Sequence, residues 1–520
     1  MNTGFPWITT ITFLPLVGGL IIIGLDQSRA RLARGVALGV SLVALAMVLV
    51  VAGLFDRSSA ELQFSRKYEW IASLGVHYFV GIDGLGLLML LLTAIVVPMA
   101  MLASCSIRDR VPMYFALVLF LQTGLFGTFT ALNFFHWFLF WELSLIPAFF
   151  LVRLWGGAER AAAATQFFIY TMVGSITLLL TFLALFLATG QFDFIELAKL
   201  AREGKIIPAL ATHIGWYDLT VKKLAVVIFA GAFLGFAVKV PLMPFHSWLP
   251  GTYTQAPIGT TMLLTGVMSK MGVYGFLRIL LPIFQQELRW MAPVLLWLAV
   301  ITIVFSAGAA FAQRDLKRLL AYSSVNHLGY CLLGLFAVVN VTSGAPGNSV
   351  VDKTAALNGV MLQMFNHGLT AATLFWFVGL IEQRSGGVRD LNEFGGLRKV
   401  APVFCGLMGI SLFSSLGLPG LNGFVGEFLI FRGAFPLATW AAALSTLGLL
   451  ITAIFILTLI QKVFWGPLNE RWSSFPDLTL AERCLVAPPI AVMFVVGIYP
   501  QVLVGLINHS ALEMARFFTW

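Results

Sequence analysis

Charge is what this chain has least of. Asp, Glu, Lys and Arg together make up 11% of its 520 residues, against roughly 25% in soluble domains. That excludes an ordinary soluble domain and a charged, disordered chain alike. Cysteine is nearly absent too. The four thiols (Cys105, Cys331, Cys405 and Cys484) are scattered, with no CxxC pair and no histidine cluster beside them. They read as core residues, which excludes a zinc or iron–sulfur site held by this chain. No Gly-x-Gly-x-x-Gly follows a strand and no P-loop is present, so the chain has no visible means of binding NADH, flavin or ATP. No basic residue precedes the first apolar run, which therefore reads as a membrane helix and not as a cleavable signal.

What fills the chain instead is hydrophobic: 59% of it. Apolar runs of about 18 to 25 residues each span a bilayer as helix, and about fourteen can be read. Their centres fall near Gly19, Leu45, Leu92, Gln122, Phe140, Thr177, Ala232, Gly266, Ala299, Leu328, Leu369, Ile410, Ile451 and Val492. The fold class is all-α, a polytopic membrane helical bundle without a separate soluble domain. The formal charge of +9 sits in short loops: Arg29/Arg31/Arg34, Arg108/Arg110, Arg153/Arg160, Arg314/Lys317/Arg318 and Arg384/Arg389/Arg398/Lys399. Most of these fall on one side, which marks the cytoplasm and not a nucleic-acid surface. The cluster from Lys199 to Lys223 lies on the other side, in a longer loop mixed with acids, and weighs less. Both termini are predicted to be non-cytoplasmic.

Two spanning segments are interrupted. The run GAFLGFAVKVPLMPFHSWLP carries Lys239, then breaks at Pro241 and Pro244, and Pro250 and Pro257 are expected to keep the chain out of regular helix. Proline removes a backbone donor, and lipid cannot satisfy the polar groups that a broken helix exposes. Lys270 follows in the middle of the next segment. A lysine at that depth costs roughly 3 kcal/mol on insertion scales, so two of them beside a broken helix mark a wet interior path. Glu142 lies inside an aromatic segment, Phe134 to Pro147, and needs a partner or water for the same reason. A neutral acid bonded to nearby backbone is the alternative reading. His136, near the start of that segment, reads as an interface residue. Asp83, beside glycines at the start of helix three, reads first as a cap and second as a transport residue.

The second half repeats the theme. Ser414-Ser-Leu-Gly417-Leu-Pro419-Gly420-Leu-Asn-Gly423 interrupts helix twelve, and Glu427 lies just beyond the break. His327 sits among Ser and Asn in helix ten, and His367 in helix eleven. A lone histidine in an apolar helix is usually a hydrogen-bonded core residue; two on neighbouring helices suit a proton relay equally well. One broken segment with one ionisable residue in each half is the pattern of an inverted-repeat transporter with a midplane ion site. Lys239 belongs to one repeat and Glu427 to the other.

The stretches FWELSLIP, FAVKVPLMPFHSWLP, SKMGVYGFLR, FAQRDLKRLLAYSSVNHLGY and LPGLNGFVGEF occur in the order found in the antiporter-like membrane subunits of respiratory complex I. The chain resembles that family from about residue 80 to 465. Its relatives serve photosynthetic complexes, membrane hydrogenases and multisubunit sodium–proton antiporters. The resemblance is to the M-type (chain 4) subunits, with Glu427 where other types place a lysine and no long lateral helix. It implies a translocase subunit of a quinone oxidoreductase, without a redox centre of its own. Protons would move through Glu142, Lys239, Lys270, His327, His367 and Glu427, coupled to redox chemistry elsewhere. NADH or ferredoxin, flavin, iron–sulfur clusters and quinone are then expected in partner subunits, and further antiporter-like subunits as membrane neighbours. The location implied is a bacterial inner, or thylakoid-type, membrane. One departure stands out: after Trp-Leu-Pro the family usually reads Asp-Ala-His, and here stands Gly251-Thr252-Tyr253.

On this reading residues 1–110 hold helices one to three and 111–284 the first repeat of five helices. Residues 285–466 hold the second, inverted repeat, and 467–520 the last helix. The competing function is an Mrp-like sodium–proton antiporter subunit. Lysines in the path favour protons, because a fixed ammonium repels a sodium ion. An inactive scaffold is a third reading, disfavoured because idle charges in a membrane are costly to keep folded.

Overall fold

Backbone that crosses lipid must satisfy its own hydrogen bonds, so apolar runs of this length become helices. The computed structural model describes residues 4–214, 220–340 and 349–518. Helices α1 (Trp7–Ile23) and α2 (Ala30–Leu54) lead to a hairpin of β1 (Gln63–Ile71) and β2 (Val76–Ile82). Then come α3 (Gly84–Ala103), α4 (Val111–Thr130), α5 (Phe134–Trp155) and α6 (Arg160–Thr189). Short helices α7 (Phe194–Arg202) and α8 (Ile206–His213) precede the first broken segment, α9 (Val221–Lys239) and α10 (Trp248–Gln255). After α11 (Ile258–Ile283) follow α12 (Gln285–Phe311), α13 (Leu316–Val339) and α14 (Val350–Arg384). The second broken segment is α15 (Pro402–Leu416) with α16 (Asn422–Leu437), followed by α17 (Thr439–Phe464), α18 (Leu480–Ile498) and α19 (Gln501–Arg516).

Each of the predicted centres lies inside a helix. Among the described residues eleven helices are long and apolar enough to cross a membrane; the shorter α1 and the two broken segments complete the expected set. The stretch α4 to α11 and the stretch α12 to α17 each hold five crossings, with the broken one fourth in both. They begin at opposite ends of the bundle. The first two crossings pack together in each, α4 on α5 and α12 on α13. Close approach is made by small residues: a Cβ on Gly235 in α9 would lie 2.8 Å from the carbonyl oxygen of Gly174 in α6.

Three features depart from the sequence reading. Pro250 does not interrupt regular structure; it is the third residue of α10, in the first turn, where a missing N–H costs nothing. The break is confined to the residues between Lys239 and Trp248. A two-stranded antiparallel hairpin stands where an all-helical chain was expected, with Tyr68 opposite Tyr78. Its strands, nine and seven residues long, lie between two long apolar runs. Finally, α19 follows the last crossing. Its buried residues Leu503, Leu506, Ile507, Ser510, Ala511 and Met514 form one stripe, and it packs on α14 and α3.

The ends of the bundle are distinct. At the basic end, hydrogen bonds join Gln27 to the Arg108 carbonyl, Trp155 to the Asp109 carbonyl and Gly157 N to the Gln255 carbonyl. Arg384 pairs there with Glu482 at 2.6 Å. At the other end the hairpin binds the α4–α5 turn through Leu132 N and the Phe79 carbonyl. Gly4 and Phe518 are both at this end, bonded to Arg66 and Lys353 through their carbonyls.

Asp83 does cap α3, accepting from Gly86 N at 3.0 Å. It also pairs with Arg278 of α11, the two side chains being only 8% and 13% exposed. Removing one member of a buried pair strands the other and costs about 3–5 kcal/mol. Asp83→Asn retains the cap but not the charge, so it is expected to lower thermal stability in detergent by that order. Asp83→Asn combined with Arg278→Met is expected to recover part of the loss. Equal losses from single and double variants in a melting experiment would disprove the coupling.

Candidate functional site

The described interior holds a row of titratable side chains, and its longest unbroken piece lies in the second half of the chain. Helix α11 carries two π-helical turns, Leu264–Met268 and Phe276–Leu280, with Lys270 between them. In the first of these Ser269 N bonds to the Leu264 carbonyl instead of to Thr265. A widened turn of this kind leaves a carbonyl without its usual backbone donor. The Thr265 carbonyl is taken by the Lys270 ammonium at 2.5 Å and by the Ser269 hydroxyl at 3.0 Å. Lys270 itself is fully buried. Its Nζ also lies 2.8 Å from Nδ1 of His367 on α14 and 3.3 Å from Oγ of Ser269.

From His367 the row continues through rings. The His367 and His327 ring centroids are 5.2 Å apart. His327, on α13, places Nδ1 2.9 Å from Oε1 of Glu427 and Nε2 3.1 Å from the Ser415 hydroxyl. Gln363 donates to the same Glu427 oxygen at 3.2 Å. The second helix break builds this end of the row. Gly417 has φ 83°, a conformation that favours glycine, and a Cβ there would sit 2.9 Å from Oε2 of Glu427. Asn422, the first residue of α16, accepts from Ser414 at 2.5 Å, and its backbone carbonyl accepts from Asn366 at 2.6 Å. The break is thus sealed by amides and hydroxyls, not by lipid.

The first half supplies a second, separate piece. Lys239 is the last residue of α9, where helix carbonyls favour a cation. It is 2% exposed, and its ammonium lies over the Trp141 ring at 4.9 Å from the centroid. Glu142 is the residue that follows Trp141 in α5. Lys239 and Glu142 do not form an ion pair among the described residues, however, and Oε1 of Glu142 is buried without a hydrogen-bond partner. Nor does a hydrogen bond join Lys239 to Lys270; between their helices Gly272 packs against Val240 and Phe236. The predicted residues are therefore brought together as Lys270, His367, His327 and Glu427, and as Glu142 with Lys239. His136 stands apart, its buried ring edge-on to Trp70 and Phe140 and tilted against Tyr78.

Several partners escaped the sequence reading. Gln363 precedes His367 by four residues, a spacing that puts both on one helix face, so this signal was available. Ser415 and Ser269 are small polar residues next to charges that no local pattern distinguishes. Glu382 pairs with Lys317 at 2.6 Å, and Lys317 was read only as a topology signal.

Residues 131–452 match the family model for the transmembrane region of NADH:quinone oxidoreductase and Mrp antiporter subunits. The chain belongs to this family. NADH-quinone oxidoreductase subunit M of Rhodobacter capsulatus is 34% identical over 98% of this chain and 96% of that protein. A relative in Thermosynechococcus vestitus, NAD(P)H-quinone oxidoreductase chain 4 2, is 32% identical over 99% of this chain and 93% of its own length. Among solved structures, a chain of respiratory complex I from Thermus thermophilus superposes with a TM-score of 0.83 at 27% identity, covering 98% of this chain and 99% of that one. A chain of the Mrp complex from Dietzia superposes at 0.81 with 20% identity over 98% of this chain and 99% of that one, a likeness of fold. The family's antiporter-like fold thus extends over the whole described length, and the chain is of its M type.

Glu427 holds two donors in an apolar interior, so its removal has a structural cost. Glu427→Ala leaves His327 Nδ1 and Gln363 Nε2 without their acceptor and is expected to lower stability by about 1–3 kcal/mol. Glu427→Gln keeps an acceptor oxygen and should retain most of it. Thermal melting of the purified variants checks the order; equal stability of Ala and Gln would refute the contact.

Proposed function

We propose that this chain is the proton-translocating M-type membrane subunit of a complex I-type quinone oxidoreductase. Protons move through its buried Glu, Lys and His residues, driven by redox chemistry in partner subunits. The observation that carries the reading is the row in the bundle interior in which Lys270 is hydrogen-bonded to His367, the His367 ring packs against that of His327, and His327 is hydrogen-bonded to Glu427. An ammonium, two imidazoles and a carboxylate in sequence are groups that exchange protons, and burial on this scale is costly unless it is used. The names of the relatives at 32–34% identity support the oxidoreductase assembly over a free-standing antiporter. Electron-carrying groups then belong to partner subunits, and further membrane subunits flank this one.

In this mechanism Lys239 and Glu142 form the switch, Lys270 the central proton carrier, His367 and His327 the relay, and Glu427 the far terminal. Energetics are of the right size. An ion pair closing to about 4 Å gains about 4 kcal/mol at an effective dielectric near 20. Moving one charge across a membrane costs about 2.3 kcal/mol per 100 mV. One opening and closing therefore works against a little over about 150 mV. The open arrangement of Glu142 and Lys239 is one of the two positions such a switch needs. Both described ends of the chain lie opposite the basic loops, which supports, by the positive-inside rule, a non-cytoplasmic side for the termini.

The test is proton uptake per quinone reduced, in vesicles that hold the assembled complex. Lys270→Met, Lys239→Met and Glu142→Gln are each expected to remove this chain's share while the complex still assembles. Uptake should not require sodium. Wild-type uptake in all three variants, or uptake that depends on sodium, overturns the proposal.

A further inference from the structure

A groove of about 630 Å³ runs between α14, α16 and the elbow that joins α18 to α19. Of the described residues that line it, Arg432 alone is charged. Arg432 is exposed and has neither an ion pair nor a hydrogen bond among the described residues. The groove lies at the end of the bundle opposite the basic loops, where α14 begins and Lys353 holds the Phe518 carbonyl. Its floor is the second break: Gly420 lines it, and Gly497 of α18 packs so closely on the Gly420 carbonyl that a Cβ would not fit.

Polarity changes along this groove in a set order. The break is near the middle of the membrane, because Asn422 bonds to Asn366, beside the midpoint of the 35-residue α14. From Asn422 to Arg432 helix α16 rises about 15 Å, which is half the hydrocarbon thickness of a bilayer. Arg432 therefore stands at the depth where hydrocarbon gives way to headgroups. Just beneath it lies Asn358, whose neighbour Gly359 packs on the Ile430 amide. Asn358 is 6% exposed; its Nδ2 donates to Oδ1 of Asn508 at 2.8 Å, and its own Oδ1 is buried without a partner. Such an amide pair can run in either direction, so one amide group is left over for a ligand at this level. Deeper still the wall is hydrocarbon: Phe428, 53% exposed, stacks on Phe424 with ring centroids 5.3 Å apart.

We propose that this groove binds one anionic glycerophospholipid. Its phosphate sits on Arg432, its ester region at Asn358 and Asn508, and an acyl chain runs along Phe428 and Phe424 towards Gly420. A cation at the edge of hydrocarbon needs a counter-charge, and a guanidinium meets a phosphate with two N–H donors. No acid lines the groove, so an ammonium headgroup finds no partner there, which favours a lipid of net negative charge. The assignment needs the membrane-embedded fold alone and is independent of the proton path.

The test places the assembled complex in phosphatidylcholine vesicles containing a phosphatidylglycerol with a photoactivated diazirine on its acyl chain. Label is expected on peptides of α16 and α19. Excess phosphatidylglycerol should displace it, and neither phosphatidylcholine nor inorganic phosphate should. Loss of a charge-assisted hydrogen bond weakens binding by about ten- to a hundredfold. Arg432→Gln is expected to raise the probe concentration for half-labelling by that factor and Arg432→Lys, which keeps a cation, by less. Arg516→Gln, at the same end of the bundle, should label as wild type. Equal labelling of Arg432→Gln and wild type overturns the assignment. So does displacement by phosphatidylcholine, the mark of bulk lipid only, or by inorganic phosphate, the mark of a free-anion site. Label confined to a neighbouring chain also overturns it, since protein would then cover the groove. Lys270→Met is expected to label as wild type, so this experiment and the uptake test are read separately.

Discussion

A helix that crosses lipid must satisfy every backbone donor and acceptor internally, and the rest of this structure follows from the two places where it does not. At each break the chain puts polar backbone in the middle of an apolar bundle. The first break leaves the carbonyl end of α9 beside Lys239, where an ammonium is favoured by the helix dipole. The second is built on Gly417 and Gly420, both with positive φ, and is sealed by Asn422, Ser414, Thr370 and Asn366. A break sealed by side chains leaves no unsatisfied group toward lipid. It also favours keeping a charge there, because the broken helix offers it backbone dipoles.

Lys270 shows the same rule at work inside a continuous helix. No proline interrupts α11 around it, so a regular helix would have used all nearby carbonyls. The π-helical turn before it shifts the Ser269 amide to Leu264 and leaves the Thr265 carbonyl for the ammonium. A single extra residue in one turn therefore does for Lys270 what a full break does for Lys239. The price is a less regular helix, and neighbours on α3 and α14 pack against the widened turn.

The bundle, its crossings and both breaks were legible in the sequence because hydropathy, proline and glycine act over short range. Lys239, Lys270, His327, His367 and Glu427 stood out because an ionisable residue in an apolar run is rare. Their pairing was not legible. Nothing in the order of residues says that His327 meets Glu427, a hundred positions away, before it meets Lys270. Asp83 was legible as a cap, since that contact is local, but its pairing with Arg278 depends on how α3 packs beside α11. The hairpin and α19 were missed for a different reason. A window long enough to find membrane helices averages away a nine-residue strand and a one-sided stripe. The Lys317–Glu382 pair was hidden by its surroundings, because a basic residue in a loop signals topology first.

The two pieces of the row meet across Gly272 and Val240 without a hydrogen bond, and this bears on how the halves communicate. A relay that passed protons from Lys239 to Lys270 would need titratable or hydroxyl side chains along that contact, and there Gly272 meets the Val240 side chain and the backbone of Val240 and Phe236. Coulomb interaction needs none. It falls only as the inverse of distance, whereas a hydrogen bond is lost within a few tenths of an ångström, and apolar surroundings strengthen it. In the proposed mechanism, then, Lys239 does not hand its proton on. Its distance from Glu142 sets how strongly its charge opposes one on Lys270, and Lys270 exchanges protons with His367. A close backbone contact without relay side chains between the lysines suits such a switch: a continuous wire there would let protons run back through the gap that the field is meant to control.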